Sequence, residues 1–189
     1  SKIYINPLEL FGRDNVTIGE LAYLSYYTKK DSTHTSSASD WFFQIYSKPY
    51  IGGPGGIEFG HRINSKPYFS ESLNEPAYTW NLWQTDADID NRLRFYDSSF
   101  GYFGGYSDPF LSDFTSSSAY KNQEILYIAV GTDSAWASGF FGQLDGLSIM
   151  LANGDIAKVN FESMPTPGAL ILAGIGIGFV IKLRKQRIL

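Results

Sequence analysis

The sequence predicts a mainly-β fold, a two-sheet β-sandwich or jelly roll, followed by one C-terminal transmembrane α-helix. Three observations predict it. The chain is rich in strand and turn formers, with 14 Phe, 13 Tyr, 4 Trp and 19 Gly, residue types that favour pleated sheets and tight turns. Asn153-Gly154 lies between two apolar runs, the strongest short-range signal of a β-hairpin. Ala169 to Ile181 is apolar throughout and ends in a basic cluster, as a membrane-spanning segment with an anchored end does.

Taken in chain order, Thr17 to Leu24 has two readings. It starts a short helix at Thr17, with Glu20 completing a capping box, or it is a strand. Trp41 to Tyr46, Ala77 to Trp83 and Arg92 to Tyr96 read as strands, the last alternating cleanly between polar and apolar. Glu124 to Val130 is a near-continuous apolar run, as expected of a central strand. Leu147 to Leu151 and Ile156 to Phe161 form the two arms of the Asn-Gly hairpin. The Gly- and Ser-rich segments 32–39, 52–56 and 101–118 read as loops. No fixed-period repeat occurs. A chain of 189 residues without cysteine suits one domain that buries its core without disulfides. The expected organisation is a β-sandwich over residues 1–162, a Pro/Gly linker over 163–168 and a transmembrane helix over 169–189.

The apolar run of the tail has 13 residues, short of the ~20 that usually span a bilayer core. Pro167, Gly168 and Leu183, with Lys182 and Arg184 snorkelling, bring it near the lower limit of about 17. The helix is apolar all round, unlike the amphipathic helices that cover a soluble core. Lys182, Arg184, Lys185 and Arg187 are expected to hold the C-terminus in the cytoplasm, leaving residues 1–162 outside. Gly174 and Gly178 form a GxxxG pair that permits close helix contact; simple tolerance of Gly in membrane helices is the other reading. The start at Ser1, with no leader-like run, is what an exported chain shows after signal-peptide removal.

Pro165-Thr166-Pro167-Gly168, the short Leu/Ile/Gly-rich helix and the terminal Arg/Lys cluster together resemble the PEP-CTERM sorting signal. The resemblance implies an exported bacterial protein whose tail is recognised by the membrane protease-transpeptidase exosortase. Thr166 stands where that family usually has Glu. We expect the tail to be retained and held by other transmembrane helices. Gly139 to Ile149, with Asn153-Gly154 and Val159 to Glu162, is similar to the last strands of the jelly-roll domains common in PEP-CTERM proteins and of lectin-like sandwiches.

Formal net charge is −4, and the four basic residues of the tail leave the remainder at −8. So acidic a body argues against nucleic-acid binding, which rests on neutralising phosphate. Nucleophilic catalysis lacks its parts: there is no Cys, no Gly-x-Ser-x-Gly elbow, and the two histidines are His34 and His61. His61 is expected to be a loop residue and not a base. Zinc has no recognisable ligand spacing, and Gly52 to Gly56 lacks the Lys-Ser/Thr of a phosphate cradle. Asp86, Asp88 and Asp90 alternate like the start of a calcium loop, yet Asn91 and Asp97 stand where Gly and Glu are required. A solvated acidic turn is favoured over calcium, and no other cofactor is expected. Trp41, Trp80, Trp83 and Trp136 are expected mostly in the core, with sugar stacking as the alternative.

The resulting expectation is a non-catalytic, single-pass protein of the bacterial cell envelope. Its outer domain serves as a structural or accessory subunit of a membrane complex, photosynthetic or respiratory in kind, through contacts with other transmembrane subunits. The alternative is an exosortase-sorted surface or matrix protein that binds polysaccharide.

Overall fold

The computed structural model describes residues 2–30, 41–65, 78–85, 92–99, 109–132 and 142–161. Among these, the strands are β1 (Lys2–Ile5), β2 (Leu21–Lys30), β3 (Trp41–Ser47), β4 (Arg62–Ser65), β5 (Asn81–Gln84), β6 (Phe95–Asp97), β7 (Ile125–Thr132), β8 (Gly142–Leu151) and β9 (Ile156–Val159). Two short helices, α1 (Pro7–Phe11) and α2 (Leu111–Ser116), and a 3-10 turn at Ile18–Glu20 complete them. The strands form two antiparallel sheets, ordered β1-β7-β3-β4-β6 and β5-β2-β8-β9. The protein is mainly β and sandwich-like, as the sequence predicts.

Alternation of side chains along each strand sends one set inward. Phe43, Ile45, Ile63, Phe95, Ile128 and Val130 from the larger sheet meet Leu24, Tyr26, Trp83, Leu147 and Ile149 from the smaller one in a single core. Tyr26 and Phe43 stack across the layers with ring centroids 6.4 Å apart. One end of this core is closed by Val16, Ile18, Leu111 and Phe114, with α2 lying against the 3-10 turn and β2. One side is closed by α1, which lies against β7 and β9. Asn6 and Glu9 cap α1 reciprocally, at 2.8 and 2.9 Å, and Gly12 ends it in the left-handed conformation at φ 69°.

Several expectations are refined. Thr17 and Glu20 do form the capping box, but it starts a single 3-10 turn that runs straight into the ten-residue strand β2. The apolar alternation of β2 is broken by the register shift at Leu21/Tyr23, where β2 carries the extra residue; at Ser25/Tyr27 the extra residue lies in β8. The second shift leaves Gly146, at φ 60°, against the Tyr27 ring, with Asp145 opposite Tyr27. The strand expected from Ala77 begins at Asn81, because Tyr78 turns the backbone to φ 60° before the ladder starts. Segment 101–118, read as a loop, contains α2; Asp113 Oδ2 accepts the Phe110 N–H at 2.8 Å and caps it. The hairpin 152–155 is as predicted, with Gly154 at φ 93°. Asp145 accepts the N–H of Gly146 at 2.7 Å and of Phe161 at 3.3 Å. No helix among the described residues is long and apolar enough to cross a membrane.

Candidate functional site

The outward-facing side of the larger sheet carries a polar layer roofed by aromatic rings. On β3, Gln44 and Tyr46 point away from the core, and on β4 Arg62 and Asn64 do so. Gln44 Nε2 donates to Asn64 Oδ1, and Gln44 Oε1 accepts from Tyr46 Oη and from Lys2 Nζ, each at 2.9 Å. Gln44, Tyr46 and Asn64 are buried, so this network fixes their rotamers. Above it lie Tyr4, 54% exposed, and the half-buried Tyr127 and Phe59. Tyr4 meets Tyr127 edge-on at 5.0 Å, Tyr127 lies 4.5 Å from Tyr46, and Phe59 meets Tyr46 edge-on at 5.3 Å. Burial pushes the Tyr46 phenol up, against the pull of Arg62. Burial, with Tyr46, Tyr4 and Glu58 nearby, raises Tyr127 as well. Tyr46 and Tyr127 are therefore neutral at physiological pH.

Inside the sandwich, below the loop from Pro49 to Gly60, lies a second constellation. His61 is 3% exposed and Asp97 is 0% exposed. His61 Nδ1 lies 2.7 Å from Asp97 Oδ2, and Nε2 lies 2.8 Å from the Tyr50 hydroxyl. Tyr120 Oη donates to Asp97 Oδ2 at 3.2 Å, and the Ser99 N–H and Oγ donate to Oδ1 at 2.9 and 2.5 Å. Burial alone would raise the Asp97 carboxyl, but the bonds from His61 and Ser99 outweigh it and hold it below the usual carboxylate range. An ionised carboxylate only accepts, so Nδ1 carries the proton that faces it. Tyr50 is pushed up, first by burial and then by the charge on Asp97. That is the opposite of nucleophile activation. Beside it, Pro49, Ile51, Gly52, Gly53, Gly56 and Ile57 line an open groove of about 490 Å³, with Ile51 and Ile57 almost wholly exposed.

His61, expected as a loop residue, does sit just before β4, but it is buried and partnered. The sequence signal for it is the alternation His61, Ile63, Ser65 on one strand face. Lys2, Tyr4, Arg62 and Tyr127 were not singled out as site residues; alternation in Lys2-Ile3-Tyr4-Ile5 and Arg62-Ile63-Asn64 places them outward. Trp83 is fully buried, as expected, and Trp80 is 43% exposed on the smaller sheet's edge. Asp86, Asp88, Asp90, Pro165, Thr166, Pro167, Gly174, Gly178, Lys182, Arg184, Lys185, Arg187 and Trp136 lie outside the described residues. Among the described residues no three His, Asp or Glu side chains gather as a metal would need. No protein-family model, no curated protein and no solved structure matches this chain.

Proposed function

We propose that this chain is a non-catalytic binding protein of the bacterial cell envelope, tethered by its tail, whose outer domain holds polysaccharide. The observation that supports it is the outer face of the larger sheet. Tyr4 and Tyr127 present apolar ring surface, while Lys2 and Arg62 supply polar heads held by their own bonds over the buried Gln44–Asn64 pair. Stacking surface joined to fixed polar groups is the chemistry that recognises sugar rings. Support for a non-catalytic role comes from Asp97, whose further bonds from Ser99 and Tyr120 tie the His61-Asp97 pair into the fold. The jelly-roll reading is supported by strand order: the chain passes from β2 to β3 and from β4 to β5 by changing sheets. The transmembrane and sorting readings rest on the sequence of residues 165–189.

The test is retention of the full chain on immobilised polysaccharides. Tyr4→Ala should weaken binding by about 1 kcal/mol, roughly fivefold. Silence across a broad set of glycans removes the reading. The tether is tested by intact mass of the chain from native membranes. A mass that includes Pro165 to Leu189 supports a permanent anchor, and one that ends near Thr166 supports exosortase cleavage.

A second reading, an accessory subunit in a membrane complex, is favoured by Ile51 and Ile57. Two branched aliphatic side chains exposed on one glycine-rich loop are unusual for a free surface. Ile51→Asp with Ile57→Asp, or Gly174→Leu with Gly178→Leu, should then reduce recovery of the chain with its membrane partners. Unchanged recovery in both pairs counts against it.

A further inference from the structure

We infer that the ligand of the outer face is an acidic polysaccharide, bearing uronate carboxylates, and that Arg62 is the residue that reads the charge. This rests on the polysaccharide reading above. Arg62 leaves β4 on the outer face, where Ser98 Oγ accepts its Nε–H at 2.5 Å. Its guanidinium lies 5.9 Å from the centre of the Phe59 ring, and its charge holds down the Tyr46 phenol against burial. Hydroxyls and an aromatic ring fix the group without neutralising it. No carboxylate among the described residues pairs with it.

Its companion on the face is held the same way. Lys2 Nζ donates to Gln44 Oε1 at 2.9 Å and stands 5.2 Å from the Phe42 ring, again without a carboxylate. Two described cations are neutralised instead: Arg13 pairs with Glu20 at 2.5 Å and Lys48 with Glu124 at 2.7 Å. The contrast matters in a body that carries −8 outside its tail. Carboxylates are abundant there, yet none among the described residues forms an ion pair with Arg62 or Lys2. Glu58 is the acid whose charge reaches this face, raising Tyr127 through space.

A neutral glucan covering the face would strip water from Arg62 and return no opposite charge, a cost without compensation. A carboxylate at ring position five of a sugar stacked on Tyr127 or Tyr4 offers the planar two-oxygen partner that a guanidinium fork accepts. The surrounding negative body would repel a polyanion everywhere else, so the charge pattern confines binding to this face.

The experiment uses the full chain with polygalacturonate and its methyl ester, which share a backbone and differ in charge. The acid should bind about tenfold tighter than the ester, and sodium chloride should weaken the acid alone. Arg62→Gln should bring acid binding down to that of the ester and leave the ester unchanged. Arg62→Lys, which keeps the charge, should retain part of the preference. Should Arg62→Gln fail to fold, the salt dependence of the natural chain and the lysine variant decide. Equal binding of acid and ester overturns the inference and leaves polysaccharide binding standing. Preference for the acid that survives Arg62→Gln in a folded protein overturns the role of Arg62. Binding of neither polymer, nor of neutral glucans, overturns both readings.

Discussion

His61 Nδ1 lies 2.7 Å from Asp97 Oδ2, joining the residue before β4 to the last residue of β6 inside the sandwich. Asp97 is held below its ordinary value of 3.8 by bonds from His61 and Ser99 that outweigh its burial. A carboxyl depressed in the folded state stabilises the fold fully above its unfolded value, and that stability is lost as pH falls through the folded one. Asp97→Asn should therefore cost about 2 kcal/mol at neutral pH, as loss of a hydrogen bond to a charged group does. The gap between variant and natural protein should close as pH falls below the ordinary carboxylate value and through the depressed one. Urea unfolding at several pH values checks this. A gap that stays constant into acid would show that the charge on Asp97 contributes nothing.

Phe43 and Tyr26 tie the two sheets together, one ring from each layer, both fully buried. Phe43→Ala should cost about 3–5 kcal/mol, the usual range for truncating a buried aromatic. Phe43→Leu, which refills most of the volume, should cost less than half as much. Thermal unfolding of the two variants ranks them. Similar melting temperatures for both would mean that the cross-sheet ring contact has no share in the stability.

The sandwich was legible where one physical signal dominated. Ile125 to Val130 reads as a strand because its burial is near-continuous, and Asn153-Gly154 reads as a turn because Gly154 tolerates a positive φ. β2 was illegible over most of its length because a bulge near its start shifts its faces and the polar Thr28 and Lys30 take buried positions farther on. α2 was hidden because Ser and Thr dominate it and its cap, Asp113, sits inside the helix and not before it. β1 and β4 have four residues each, too few for a period to stand out. The outer face was missed for the same reason, since Tyr4, Arg62 and Tyr127 come from three separate strands and only register brings them together. Asp97, read as a misplaced calcium-loop position, is instead the anchor of His61, a pairing across 36 residues that no local pattern encodes.

Gly60 precedes His61 and packs against the end of β3. A Cβ there would stand 2.6 Å from the Lys48 carbonyl oxygen and 2.5 Å from Ser47 Oγ, well inside contact distance. Gly60→Ala should cost about 1–3 kcal/mol by overpacking. It should also disturb the Tyr50–His61 contact, which near-ultraviolet circular dichroism of the tyrosines would register. Gly154→Ala meets nothing within 4 Å, so its cost is limited to the left-handed backbone, about 1 kcal/mol. If Gly154→Ala were the more damaging of the two, crowding at Gly60 would not be the governing effect.

Trp83 on β5 and Thr28 on β2 form a polar contact within the core. The indole N–H donates to Thr28 Oγ1 at 2.8 Å, and both side chains are buried. A valine at position 28 keeps the shape and removes the acceptor, leaving a buried donor unsatisfied. Thr28→Val should therefore cost about 1–3 kcal/mol. In a Trp83→Phe background the donor is absent, so the same change should cost less. The difference between the two costs is the coupling, expected at about 1 kcal/mol for residues in direct contact. Because Thr28→Val alone also alters whatever else the hydroxyl touches, only the double-mutant cycle separates the bond from its surroundings. Equal costs in the two backgrounds would mean that this bond adds nothing, and that Trp83 holds its place in the core by packing against Tyr26 and its neighbours alone.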